Sequence, residues 1–195
     1  MEWTVIAALV LVCVFYVAYI GKQVALRVRG IRGSRLGKGG KQGMVLTIEM
    51  LLLVATYAMA AVQLVSLLGI FPSAALPLWV RSMGLACLLL ADIVFCLSLV
   101  AMKDSWRAGI DLSTQTKMVT SGIYHFSRNP AFLAFDLMYI GTMLVEPNAS
   151  TLAIGMACII LLHFQILHEE AFLPMVFGEE YLAYAARTPR YFGFL

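Results

Sequence analysis

Two short polar segments in an otherwise apolar chain hold most of the residues able to do chemistry. The first reads Thr120-Ser121-Gly122-Ile123-Tyr124-His125-Phe126-Ser127-Arg128-Asn129-Pro130. Asn is a favoured N-cap and Pro suits the first helical position, so Asn129-Pro130 predicts a helix start. Its unpaired N–H groups and partial positive charge can hold an anionic ligand group. The second segment runs from His168-Glu169-Glu170-Ala171-Phe172-Leu173, through Phe177-Gly178-Glu179-Glu180-Tyr181-Leu182-Ala183-Tyr184, to Arg187-Thr188-Pro189-Arg190-Tyr191-Phe192. It joins carboxylates, aromatic rings and two arginines. An amphipathic interfacial helix with an aromatic belt accounts for the rings. It does not account for four acidic residues beside an anionic lipid surface.

Polar residues inside the apolar stretches are the second source of candidates, because they are expensive in a bilayer and mark function by default. Asp92 falls in the middle of one stretch and Asp136 one to two turns into another. Either can face a polar cavity, or pair with Arg81, Arg107 or the other aspartate. Glu49 is expected to be solvated near an interface, and His163 and Gln165 to be packing residues near the inner end of a span. The four cysteines (Cys13, Cys87, Cys96, Cys158) lie in apolar stretches without a CxxC pair or a nearby His cluster. They read as small hydrophobes, and no metal is expected.

The elements that must position these residues follow from composition. Of the 195 residues, 62% are hydrophobic and 13% charged; a soluble domain averages roughly 45–50% and about 25%. A water-soluble fold, disorder and a disulfide-stapled module are thereby excluded. A bilayer span takes ~20 residues, so the chain has room for at most five or six. The apolar stretches predict an all-α, polytopic protein with five transmembrane helices at about 3–21, 44–70, 78–102, 131–145 and 149–167. The short fourth pairs with the fifth as a hairpin, and a helical tail follows, all within one domain over 1–195. Lys22, Arg27, Arg29, Arg32, Arg35, Lys38 and Lys41 follow the first span with no acidic residue among them. Placing that loop in the cytosol puts 13 of the 14 Lys and Arg there and leaves only Arg81 outside, as the positive-inside rule expects. The N-terminus is then outside and the C-terminus cytosolic, and the positive charges follow the first apolar run, unlike those of a signal peptide. The compact chain favours a prokaryotic plasma membrane over the endoplasmic reticulum. The glycine-rich loop at 30–43 lacks P-loop spacing and reads as a flexible basic connector on anionic headgroups.

The pattern G-I-Y-x-x-x-R-x-P, an apolar hairpin, then E-E-x-x-L-x-x-x-F-G-x-x-Y-x-x-Y-x-x-x-T-P-R resembles the isoprenylcysteine carboxyl methyltransferase and phospholipid methyltransferase group. These are small integral membrane enzymes that use S-adenosylmethionine. The resemblance covers about residues 117–192, which include the segments 117–135 and 163–192 expected to hold the cofactor. Where the family has Arg-His-Pro followed by Tyr and Gly, this chain has Arg128-Asn129-Pro130, Phe132 and Ala134. The resemblance implies a cofactor site of Tyr124, Arg128, Asn129, Pro130, Phe132, His168, Glu169, Glu170, Leu173, Tyr181 and Tyr184, with Glu170 as its strongest member. Carboxylates suit the ribose or ammonium, Arg128 and the helix start the cofactor carboxylate, and the tyrosines the sulfonium and adenine. The acceptor it implies is a hydrophobic or lipid-linked molecule entering from the bilayer, with membrane lipids as neighbours and no nucleic acid. A carboxylate acceptor needs no base, and Arg190 or Arg187 can orient it; an amine or hydroxyl must lose a proton, with His168 or Glu170 nearest. Two alternatives remain open: an NADPH-dependent reductase of sterol-reductase type, which the tail also resembles, and a non-enzymatic scaffold or transporter.

Overall fold

The computed structural model describes residues 2–31, 33–34, 36–37, 41–106 and 117–193. Its described elements are helical: α1 (Trp3–Val28), α2 (Gly43–Leu67), α3 (Leu78–Met102), α4 (Pro130–Val145), α5 (Ala149–Phe177) and α6 (Glu179–Ala185), with short 3-10 turns at Lys103–Ser105 and Gly122–His125. The helices containing α1, α2, α3 and α5 are each long and apolar enough to cross a membrane. Large apolar side chains stand outward on them, with Val17, Val54 and Val100 64–71% exposed, as a lipid-facing surface requires. The fourth apolar stretch is a helix of 16 residues, about 24 Å long, shorter than the ~30 Å hydrocarbon layer.

Helix ends depart from the apolar boundaries for local reasons. α1 outlasts its apolar run because Lys22, Gln23 and Arg27 are good helix formers. It stops where Gly30 adopts φ +74° and Ile31 N–H donates back to Leu26 O at 2.9 Å, a Schellman ending. α2 ends at Leu67 by the same device, with Gly69 at φ +75°. α5 continues past the apolar stretch to Phe177 and so carries the Glu169-Glu170 pair on a rigid helix. Its start is fixed by a capping box between Asn148 and Thr151, while Asn148 Nδ2 also donates to Ser66 Oγ at 2.9 Å. Three residues, Glu146-Pro147-Asn148, separate α4 from α5.

Packing centres on α3 against α4, α2 against α5 and α1 against α3. Gly84 and Gly141 make the α3–α4 approach possible, since a Cβ on Gly84 would stand 2.8 Å from Gly141 O. Phe15 stacks on Phe95 at 4.4 Å between ring centres, and Phe135 meets Phe15 edge-on, so α1, α3 and α4 share one aromatic core. Within this apolar interior Tyr16 donates to Gln63 Oε1 at 2.6 Å, and Gln63 donates to Thr142 Oγ1 at 2.7 Å. Such bonds tie helices together where lipid offers no partner.

The intramembrane charges depart from expectation. Arg81 is paired with Glu2 rather than an aspartate, and Arg107 lies outside the described residues. Neither Asp92 oxygen, nor Asp136 Oδ1, has a hydrogen-bond partner among the described residues. Glu49, expected to be solvated, is completely buried. It accepts from Lys41 Nζ at 2.6 and 2.7 Å and from Gly37 N–H at 2.8 Å. A carboxylate leaves water only when it is paired, and the basic connector supplies the pair. The connector is thus anchored at Gly37 and Lys41; Arg32, Arg35 and Lys38 lie outside the described residues. The four cysteines are free thiols.

Candidate active site

The two polar segments meet at Glu170. Arg128 donates through Nε to Glu170 Oε1 at 3.2 Å and through Nη2 to Oε2 at 3.1 Å, a forked contact suited to a carboxylate. Asn129 Nδ2 adds a bond of 2.7 Å to Oε1, and Arg190 Nε one of 2.9 Å to Oε2. Backbone carbonyls of the tail also tie it to the start of α4: Arg128 N–H donates to Pro189 O at 2.9 Å, Ser127 Oγ to Arg190 O at 3.0 Å, and Arg128 Nη1 to Ala185 O at 2.8 Å. Asn129 does stand before Pro130 at the N-cap position, but its side chain makes no cap bond because its amide is spent on Glu170. The Glu170 side chain keeps only 10% of its surface. With four donors on two oxygens, it is a clamp that holds the start of α4 and the tail onto α5.

Beside the clamp opens a cavity of about 870 Å³, near the upper end of the ~300–1,000 Å³ common for small-molecule sites. Its mouth at the basic end is lined by Tyr124, Arg128, Asn129, Glu169, Tyr181 and Tyr184. From there an apolar shaft runs between α1 and α2, past Val17 and Ile20 on one side and Tyr57, Ala60 and Leu64 on the other. Tyr184 OH donates to the backbone carbonyl of Tyr124 at 2.6 Å, which fixes the Tyr184 ring. Burial pushes the Tyr181 and Tyr184 hydroxyls up to about 12, so both stay neutral donors at physiological pH. Gln165 donates through Nε2 to Glu169 Oε1 at 3.0 Å and lines the wall, while its Oε1 is buried without a hydrogen-bond partner among the described residues.

Residues 79–180 match the phospholipid methyltransferase family, just over half of the chain. The chain belongs to that family. It is also 27% identical over 151 residues to protein-S-isoprenylcysteine O-methyltransferase B of Arabidopsis thaliana, covering 73% of this chain and 76% of the relative. The A form of the same plant is 29% identical over 149 residues, 71% of this chain and 74% of the relative. The Schizosaccharomyces pombe protein-S-isoprenylcysteine O-methyltransferase is 33% identical over 73 residues, 37% and 31% of the two chains. This protein is a membrane methyltransferase, and the reductase and scaffold alternatives fall away.

Membership implies S-adenosylmethionine as the methyl donor, and the cavity mouth of this methyltransferase fits it. The molecule carries a sulfonium, an ammonium, a carboxylate, ribose hydroxyls and an adenine. The orphaned Oε1 of Gln165, whose Nε2 donates to Glu169, suits an ammonium or hydroxyl donor. Arg128 uses three of its N–H groups on the protein, which leaves two of its five. Tyr124, Tyr181, Tyr184 and Phe172 offer aromatic faces around the same space.

Of the residues that the resemblance singled out, Tyr124, Arg128, Asn129, Phe132, Glu169, Leu173, Tyr181 and Tyr184 line the cavity. Pro130, His168, Glu170 and Arg190 stand outside its lining. Arg190 and Glu170 hold each other, and His168 Nδ1 is buried without a hydrogen-bond partner among the described residues. His163, expected as a packing residue, bonds through Nδ1 with Tyr191 OH at 2.8 Å and stacks on its ring. The members that sequence reasoning missed are Gln165, Phe172, Val176 and Phe177 on α5 and Tyr16, Tyr19 and Gln23 on α1. A signal for the first group was present: 165, 169, 172 and 176 recur at helical spacing, which puts Gln165 on the face of Glu169.

Proposed function

We propose that this methyltransferase binds S-adenosylmethionine at the cavity mouth and an isoprenylated or similarly lipid-like acceptor along the shaft, and that the methyl group goes to a carboxylate. One observation carries the reading: a single cavity joins a mouth bearing charge and aromatic rings to an apolar shaft flanked by lipid-facing helices. That shape suits a polar cofactor arriving from water and a greasy acceptor arriving from the bilayer. The basic residues argue for the mouth in the cytosol and the N-terminus outside, with α4 and α5 crossing as a hairpin, which brings the spans to five.

The bound cofactor supplies a methyl group on positively charged sulfur, already activated for displacement. Glu169 and the Gln165 carbonyl hold its ammonium or ribose, and the two remaining N–H groups of Arg128 orient a carboxylate. The tyrosines and Phe172 face the sulfonium and adenine, where aromatic faces attract positive charge. A carboxylate acceptor is already anionic at neutral pH, so no side chain need take a proton, and positioning carries the catalysis. That agrees with Glu170, a base candidate from the sequence, being occupied by four donors and standing outside the cavity lining. Arg190 acts through Glu170 and not on the acceptor.

The test uses detergent-purified protein. Titration calorimetry with S-adenosylhomocysteine checks the cofactor half of the reading. Incubation with methyl-labelled S-adenosylmethionine and an S-isoprenylated cysteine bearing a free carboxylate checks the acceptor half. Alkali releases the label from a methyl ester as methanol; label that survives alkali points to an amine acceptor and overturns the carboxylate assignment.

A further inference from the structure

Glu49 sits in the second turn of α2, a helix with no other charged residue, and has no exposed surface. Burying a carboxylate costs several kcal/mol unless donors surround it. The donors come from two places. Lys41 and the Gly37 N–H belong to the connector between α1 and α2, and Gln165 Nε2 reaches Oε1 from α5 at 3.4 Å. The same nitrogen donates to Glu169 Oε1 at 3.0 Å. A carboxylate only accepts, so the amide of Gln165 must turn its NH2 toward both acids. Its two hydrogens are then shared between Glu49 and Glu169, and its oxygen is directed away from both. Ser34 and Leu36, from the connector that Glu49 anchors, form part of the cavity wall.

We propose that Glu49 is a positioning residue of the cofactor site, acting through Gln165 on Glu169 while it holds the connector against the cavity. This deepens the cofactor reading above and rests on it. The chain Lys41–Glu49–Gln165–Glu169 sets the rotamer of the carboxylate that faces the ligand and the direction of the Gln165 carbonyl. Without the Glu49 acceptor, the Gln165 amide is free to rotate and its bond to Glu169 is no longer held in one direction. Ligand affinity therefore depends on a residue, Glu49, that does not line the cavity.

Two double variants separate positioning from simple pairing of buried charges. Lys41→Met/Glu49→Met and Lys41→Met/Glu49→Gln both remove the ion pair, and exchanging a buried pair for neutral groups of similar volume is often tolerated. They differ in one respect, because only the glutamine keeps an oxygen to accept from Gln165. Calorimetry with S-adenosylhomocysteine should show affinity about tenfold weaker for the first, the loss of one hydrogen bond to a charged group, and within about twofold of wild type for the second. Equal affinities in the two variants, whether retained or lost, overturn the proposal. Hydrogen exchange of wild type gives a second readout that needs no variant. Coupling between sites is reciprocal, so S-adenosylhomocysteine should slow exchange of the Gly37 amide at least threefold, and unchanged exchange under saturating ligand overturns the link. Wild type that binds no S-adenosylhomocysteine overturns the cofactor reading itself; binding with indistinguishable variants overturns only the role of Glu49.

Discussion

Adjacent glutamates on α5 have different work, because successive residues on a helix point about a hundred degrees apart. Glu170 faces the start of α4 and the tail, and Glu169 faces the cavity. Glu170→Ala leaves Arg128, Asn129 and Arg190 without their shared acceptor, and stranding partly buried cations costs about 3 kcal/mol. The unfolding midpoint in detergent should fall together with affinity for S-adenosylhomocysteine. Glu169→Gln should behave differently: affinity about tenfold weaker at an unchanged midpoint. If the midpoint falls for Glu169→Gln and holds for Glu170→Ala, the two roles are exchanged. Asn129 stands where the resemblance leads one to expect histidine, and its Nδ2 donates to Glu170 at 2.7 Å. An imidazole N–H can make the same bond, so Asn129→His should keep affinity within about threefold, whereas Asn129→Leu removes the donor and costs about 1–3 kcal/mol of stability. That Arg128, Glu170 and Arg190 gather at one place followed from the pattern by which the sequence resembles the family. Which glutamate looks inward was not legible in the sequence, since that depends on the phase of α5, and the phase is set by packing against α2 and α4. Nor was the burial of Glu49 legible, because its compensating donors arrive from a connector that looks like an unstructured basic loop.

At the scale of elements, the site is only as well placed as the helix whose start carries Arg128 and Asn129. α4 is short, and its position is set by close packing on α3 through Gly84 and Gly141. A Cβ on Gly141 would stand 2.7 Å from Leu88 Cγ and 2.8 Å from Gly84 O, so even a methyl group forces the helices apart. Gly141→Val should cost about 1–3 kcal/mol as an overpacked contact. It should weaken S-adenosylhomocysteine binding as well, although the residue lies about 18 Å along the helix from Asn129. A lower midpoint with unaltered affinity would mean that the clamp at Glu170 positions the mouth without help from α4. Composition located the apolar stretches well, and the helices follow them. It could not give their ends, since α1 and α5 both continue through polar residues that are good helix formers, and α2 stops early at Gly69. The close approach of α3 and α4 was also out of reach, because a glycine in an apolar run has the same appearance whether it faces lipid or another backbone.

For the whole molecule, the shape of the cavity assigns different ends to different ligands, and that division can be tested without touching any polar residue. Ala60 lines the shaft from α2, eleven residues beyond Glu49 and therefore about 16 Å along the helix from it. Its small side chain leaves width in the shaft that a lipid tail can fill, and each buried methylene of such a tail contributes about 0.8 kcal/mol. Ala60→Phe should take that width away. Affinity for S-adenosylhomocysteine should stay within about twofold, because nothing at the mouth changes. The KM for an isoprenylated acceptor should rise about tenfold, the equivalent of nearly two methylenes denied their place. A longer isoprenyl chain should lose more than a shorter one, since only the longer reaches the obstruction. Equal loss for both chain lengths, or a fall in cofactor affinity of the same size, would mean that the tail lies elsewhere and that the shaft only supports the fold.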